Sequence, residues 1–371
     1  ADPLARRLRR KVRMLALRHL LTVRAPALGD LERVQEALTV MLRSRPEPLL
    51  EAIGGLDVLA PLLASCSGAL PSGPALRQAV PHLLAALAPH LASAIPWRGP
   101  VTAVRDGGLH RFDVPLRGLV ADASGVAVEL STGRHLALGD LDSSAPSRPL
   151  RRGSLALVDT NPLASVEAHP DKQGNALDLG GREPQAWVDA LDGALALVEA
   201  ALPAVYEELE VTLLRAVPVG YEAERHLSAS YREAPGLIYL SLHPDPLTLA
   251  EAIVHETQHG KLNLLSWLDP VLVNGHTEWS PSPVRPDLRP LMGVLLAAHA
   301  FVPVAALHRA LADADHPVSR TASFERRRGE VIRANADSLA IVQDRGKPTA
   351  LGDKLLAALW ELHAETLASV S

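Results

Sequence analysis

The run from Gly236 to Leu264 constrains this chain more than any other stretch. Gly236-Leu237-Ile238-Tyr239-Leu240-Ser241-Leu242 is a short apolar segment with the composition of a buried strand. His243-Pro244-Asp245-Pro246 must then turn the chain. Thr248 and Glu251 are spaced as a capping box, and Leu249, Ile253, Val254 and Leu264 form the inward stripe of a helix. That helix carries His255-Glu256-Thr257-Gln258-His259, an HExxH motif. Residues four apart share one helix face, so both imidazoles can grip one metal ion. Glu256 is turned from them by roughly 100°, where it can handle a water or orient a ligand. The plainer alternative is two unrelated histidines on an ordinary helix.

A chain of 371 residues has room for two or three domains around this unit. Apolar residues make up 47% but aromatics only 3%, so the core must come from Ala, Leu and Val on many helices. The expected class is α+β, predominantly α-helical, with a zincin-like helix-strand core around the HExxH helix. Residues 1–95 read as a helical N-terminal region. Arg6, Arg7, Arg9, Arg10, Lys11, Arg13 and Arg18 interleave there with Leu8, Val12, Leu15 and Leu17, a basic amphipathic helix whose simplest role is to pair with acids elsewhere. Helical pattern continues over 31–42 and 75–94, with a break at 71–74. Residues 96–158 alternate apolar residues with Gly and Asp, as in a small β-rich region. Residues 159–371 form the expected catalytic domain: a loop through Asp159-Thr160, His169-Pro170-Asp171 and Gly174, a helix over 187–209, a strand opening near 210–214, the HExxH unit, and a helical C-terminal part over 324–343 and 353–367.

A formal charge of −5 argues against a general nucleic-acid binder. The single cysteine, Cys66, excludes an internal disulfide and a thiolate metal cage. No uninterrupted apolar run reads as a bilayer span. No secretory signal is visible, and the opening Ala1-Asp2-Pro3 reads as a processed end. These features predict a cytoplasmic protein without a membrane or nucleic-acid partner.

Two histidines do not fill a coordination sphere. A metzincin would place Gly and a third His at fixed steps after His259, but this chain has Leu262 and Leu265 there. A thermolysin-like site needs a later helical Glu, and Glu278 falls in a predicted loop. His299 is the better third ligand: it lies on the helix that opens at Pro290, four residues before Pro303, which should kink that helix. His308 lies beyond the kink and ranks lower. Arg285 and Arg289 precede the same helix, and a guanidinium fork matches a carboxylate. Two such groups beside a metal can hold a dicarboxylate against the ion; the plainer alternative is Arg–Asp pairing that shapes the loop around Asp287.

Residues 249–259, Pro283-Val284-Arg285-Pro286-Asp287-Leu288-Arg289-Pro290-Leu291 and His299-Ala300-Phe301 together resemble the HExxH-motif peptide-modification proteins of actinobacterial peptide natural-product clusters. A weaker match runs from Asn161-Pro162-Leu163 to Gly174-Asn175. The resemblance covers about residues 155–315. It implies a non-haem Fe(II) and 2-oxoglutarate-dependent hydroxylase, acting with O2 at a β-carbon in a ribosomally made precursor peptide. It implies His255 and His259 as iron ligands and Arg289, with Arg285, as the 2-oxoglutarate clamp; His299 is the matched third ligand. Glu256 is then a catalytic-site residue that bonds a ligand or positions substrate, and it or a later acid is the alternative third donor. Two other readings compete. One is a zinc metallopeptidase with Glu256 as general base. The other is a non-catalytic peptide-binding accessory protein with a structural metal. The arginine pair favours the hydroxylase, since a peptidase does not need it.

Overall fold

The computed structural model describes residues 3–106, 108–158, 161–163 and 175–368. Asp159, Thr160, His169, Pro170, Asp171 and Gly174 lie outside the described residues, as do Ala1 and Asp2. The chain is α+β and predominantly helical, and it divides into two compact units.

One unit comprises residues 9–148 and 156–177. Its helices are α1 (Pro3–Thr22, of which 9–22 belong here), α2 (Leu31–Ser44), α3 (Pro46–Ile53), α4 (Leu56–Ser67) and α5 (Ser72–Leu87). Helix α1 buries Val12, Ala16, Leu17 and Leu20, and Arg10 pairs with Glu47 at 2.7 Å, the simple role expected of a basic face. The expected break at 71–74 is instead the first turn of α5, where Pro74 costs no helical hydrogen bond. Four strands follow: β1 (Ile95–Asp106), β2 (Gly108–Asp122), β3 (Gly125–Glu129) and β4 (His135–Ala137), an antiparallel sheet in sequence order. Strand β1 packs on α5, so the regions read as 1–95 and 96–158 share one core rather than two. A Cβ at Gly118 would come within 2.2 Å of the Trp97 carbonyl, so the β1–β2 pair closes there only over glycine.

The second unit comprises residues 1–8, 149–155 and 178–371. Short strands β5 (Ser147–Pro149) and β6 (Ser154–Ala156) precede α6 (Pro184–Ala201) and α7 (Pro203–Thr212). The single helix expected over 187–209 is broken at Leu202, because Pro203 disfavours a helical conformation in the residue before it. Strands β7 (Arg215–Tyr221), β8 (Ser228–Ser230) and β9 (Leu237–Leu242) complete a five-stranded sheet of order β5-β6-β7-β9-β8. Helix α7 extends through 212, so the strand expected near 210–214 begins at 215. Strands β6, β7 and β9 run parallel, and β8 is an antiparallel edge. All six residues of β9 are buried, as its unbroken apolar run predicts. Then come α8 (Pro246–Ser266), the hairpin β10 (Trp279–Ser282) and β11 (Arg285–Pro290), α9 (Leu291–Asp313), α10 (Ala322–Arg345) and α11 (Ala350–Ala368). Leu262, Leu272, Leu295, Val302, Leu339 and Leu359 join α8 to α11 in one apolar core. Helix α9 is long and apolar enough to cross a membrane, with a mean hydropathy of 1.8, but 83% of that window is buried within the protein. This departs from the expectation that no run is long enough to span a bilayer.

Candidate metal centre

Helix α8 begins at Pro246 rather than at the expected Thr248 box. Asp245 is its N-cap, its carboxylate accepting from Leu247 N at 2.9 Å, and Pro246 fills the first position, where a missing N–H is harmless. Glu251 is thereby freed for another task. It accepts from His308 Nε2 of α9 at 2.7 Å and from Arg327 Nε of α10 at 3.0 Å. Burial pushes the Glu251 carboxyl up, but His308 and Arg327 outweigh it and hold it below the usual range.

One turn further along α8, His255 and His259 stand side by side, ring centroids 4.4 Å apart and nearly perpendicular. Together with Ser282, Val284, Arg285, Arg289, Gly293, Leu296, Ala297 and Phe301 they line a cavity of about 390 Å³. Phe301 lies with its centroid 4.4 Å from that of His255 and also borders a second cavity of about 200 Å³, with Val284, Arg327 and Glu330. Burial, the neighbouring His259, Arg327 and Arg285 hold His255 well below 6.5, against the opposite pull of Glu251. Burial lowers His259 too, with Glu256 opposing. In both rings Nδ1 is buried without a hydrogen-bond partner, which leaves Nε2 to face the cavity.

The two arginines reach this cavity because their segment is a strand. The register of β11 sets Arg285 opposite Ser282 and Arg289 opposite Ser280, two residues apart on β10, with a register shift between them. A strand thus stands where the proline-rich sequence suggests a loop. Arg289 is ion-paired with Asp287, Nε to Oδ2 at 2.8 Å, the plainer role expected of it, although the pair is out of line for a hydrogen bond. Arg285 forms no ion pair among the described residues.

Two expected site residues do not line the cavity. Glu256 is buried beside β8, where Oε1 accepts from Ser228 Oγ at 2.6 Å and Oε2 from Ser230 Oγ at 2.7 Å. His299 is buried on α9. It is not among the residues lining the cavity, although Leu296, one turn before it on the same helix, is. Its ring meets the backbone of Gln258, and burial, with Lys261 and His259 nearby, brings its pKa down to about 3. Helix α9 continues through Pro303 to Asp313. Glu278 ion-pairs with Arg345. Sequence reasoning missed Arg327 and the structural role of Glu251, since their partnership joins positions 76 residues apart.

Among the described residues, no three His, Cys, Asp or Glu side chains converge as a metal cage. The residues present nevertheless fit a divalent ion. Both imidazoles are held neutral, the state in which imidazole ligates, and an open cavity adjoins them for exogenous oxygen ligands. No family model and no curated protein matches the chain.

Proposed function

We propose that the α8–α9 cavity is the centre of a cytoplasmic Fe(II)/2-oxoglutarate-dependent hydroxylase acting on a ribosomally made precursor peptide. The observation that carries this reading is the placement of Arg285 and Arg289 around the same cavity as His255 and His259. Guanidinium groups beside two neutral imidazoles suit a ligand with a chelating end and a free carboxylate. The fold around α8, with the parallel strand β9 leading into it and the antiparallel edge β8 beside it, supports a zincin-like core.

In this reading His255 and His259 hold the iron, and oxygen ligands from the keto acid fill further positions. Arg289, with Arg285, takes the distal carboxylate and sets the direction from which 2-oxoglutarate enters. The bound iron would supply what side chains lack: activation of O2, one oxygen atom passing to the keto acid as it becomes succinate and CO2, and the other to a substrate C–H. Phe301 shields His255 on one side from water. Glu251, held by His308 and Arg327, fixes the start of the helix that carries both histidines. Glu256 ties α8 to β8 through Ser228 and Ser230. That engagement weighs against the zinc peptidase, whose base must reach a water beside the metal.

Incubating the iron-loaded protein with 2-oxoglutarate, O2 and a co-expressed precursor peptide should yield succinate and a peptide heavier by one oxygen. Arg289→Ala should raise the 2-oxoglutarate concentration needed by about tenfold or more, the loss of a charge-assisted contact of about 1.5–3 kcal/mol. A cut peptide without succinate would instead establish the peptidase.

A further inference from the structure

A cavity of about 690 Å³ lies among the described residues of the unit built from residues 9–148 and 156–177, and the proposed hydroxylase chemistry makes no use of it. It is an open cleft between α5 and the β1–β2 pair. Arg77 projects from α5 and Arg111 from β2, and neither has an acidic partner among the described residues. Of the two carboxylates in the lining, Asp57 is taken by Arg105 Nε at 2.7 Å; Asp113 stands on β2. Counting Arg105, three arginines stand against two aspartates at the cleft among the described residues, a small excess of positive charge. Pro74, Pro100 and Phe112 interrupt the polar groups with apolar surface.

The walls favour an extended chain over a phosphate. β1 is the outer strand of its sheet, with side chains bonded to its backbone at two points: Asp30 accepts from Arg98 N at 2.7 Å and His82 Nδ1 from Arg105 N at 3.0 Å. An outer strand offers backbone pairing to a second extended segment. The first turn of α5, which also borders the cleft, is a poor phosphate cradle. Pro74 has no N–H, and Ala75 N already donates to Pro71 O.

We propose that this cleft binds an acidic, extended peptide segment, with Arg77 and Arg111 taking its carboxylates. The proposal shares with the hydroxylase reading only the idea of a peptide partner. It is tested on the metal-free chain of 371 residues, so either can fail without the other. The probe is a fluorescein-labelled ten-residue peptide of alternating Glu and Leu, followed by anisotropy at low salt. Saturable binding is expected, at least tenfold weaker in the Arg77→Glu/Arg111→Glu double variant and severalfold weaker in Arg77→Gln/Arg111→Gln. Both variants replace exposed or half-buried side chains, and circular dichroism is used to check that they fold. Equal binding by the double variant, equal binding of the Lys-for-Glu peptide, displacement by ADP at lower concentration than by unlabelled peptide, or no binding at all would overturn the proposal.

Discussion

His255 and His259 are worth most as a pair. Each is buried and neutral, with Nδ1 unpaired, an arrangement that costs stability unless the other nitrogen has work to do. His255→Ala and His259→Ala should therefore each abolish tight metal binding while leaving the circular dichroism spectrum unchanged. Retained metal after dialysis of either variant would remove that residue from the site. Glu256 has the opposite profile, because both its oxygens are satisfied by β8 serines. Glu256→Gln should keep metal affinity within about threefold but lower stability by about 1–3 kcal/mol, since one amide end cannot accept from a serine hydroxyl. A large loss of affinity with stability intact would make Glu256 a ligand.

At the scale of elements, α8 depends on its cap. Asp245→Ala should cost about 1 kcal/mol in urea denaturation, whereas Thr248→Ala should cost less, because Asp245 rather than Thr248 bonds the free amide of Leu247. Equal costs would restore the capping box. The strand at 237–242 and the helix after it were legible because each rests on local pattern: an unbroken apolar run, a proline turn, a period near 3.6. The β10–β11 hairpin was not. Pro281, Pro283 and Pro286 read as loop, and only pairing across the hairpin sets Arg285 opposite Ser282 and Arg289 opposite Ser280. His299 lies on the expected helix and close to His259 but off the cavity's lining, and that placement depends on how α9 packs against its neighbours. Arg327 carried no local signal, since its meaning comes from a carboxylate on another helix.

For the molecule as a whole, buried neutral imidazoles make the metal-free fold sensitive to acid. His299 titrates near 3 in the fold against 6.5 when exposed, so the unfolded chain takes up its proton first. Its contribution to stability is complete above pH 6.5 and is lost as pH falls towards 3, at about 1.4 kcal/mol per pH unit. His255 and His259, also lowered, act in the same direction. The melting midpoint should fall steadily between pH 6.5 and 4, and His299→Gln should flatten that slope; identical slopes would show that His299 is not the sensor. The central claim, that one cavity holds a metal and a keto acid together, is tested most directly by calorimetric titration of 2-oxoglutarate under anaerobic conditions. Binding should appear only in the Fe(II)-loaded protein and weaken about tenfold or more in Arg289→Ala, as expected for a lost charge-assisted contact. Binding that is equal without metal, or unchanged by that substitution, would contradict it.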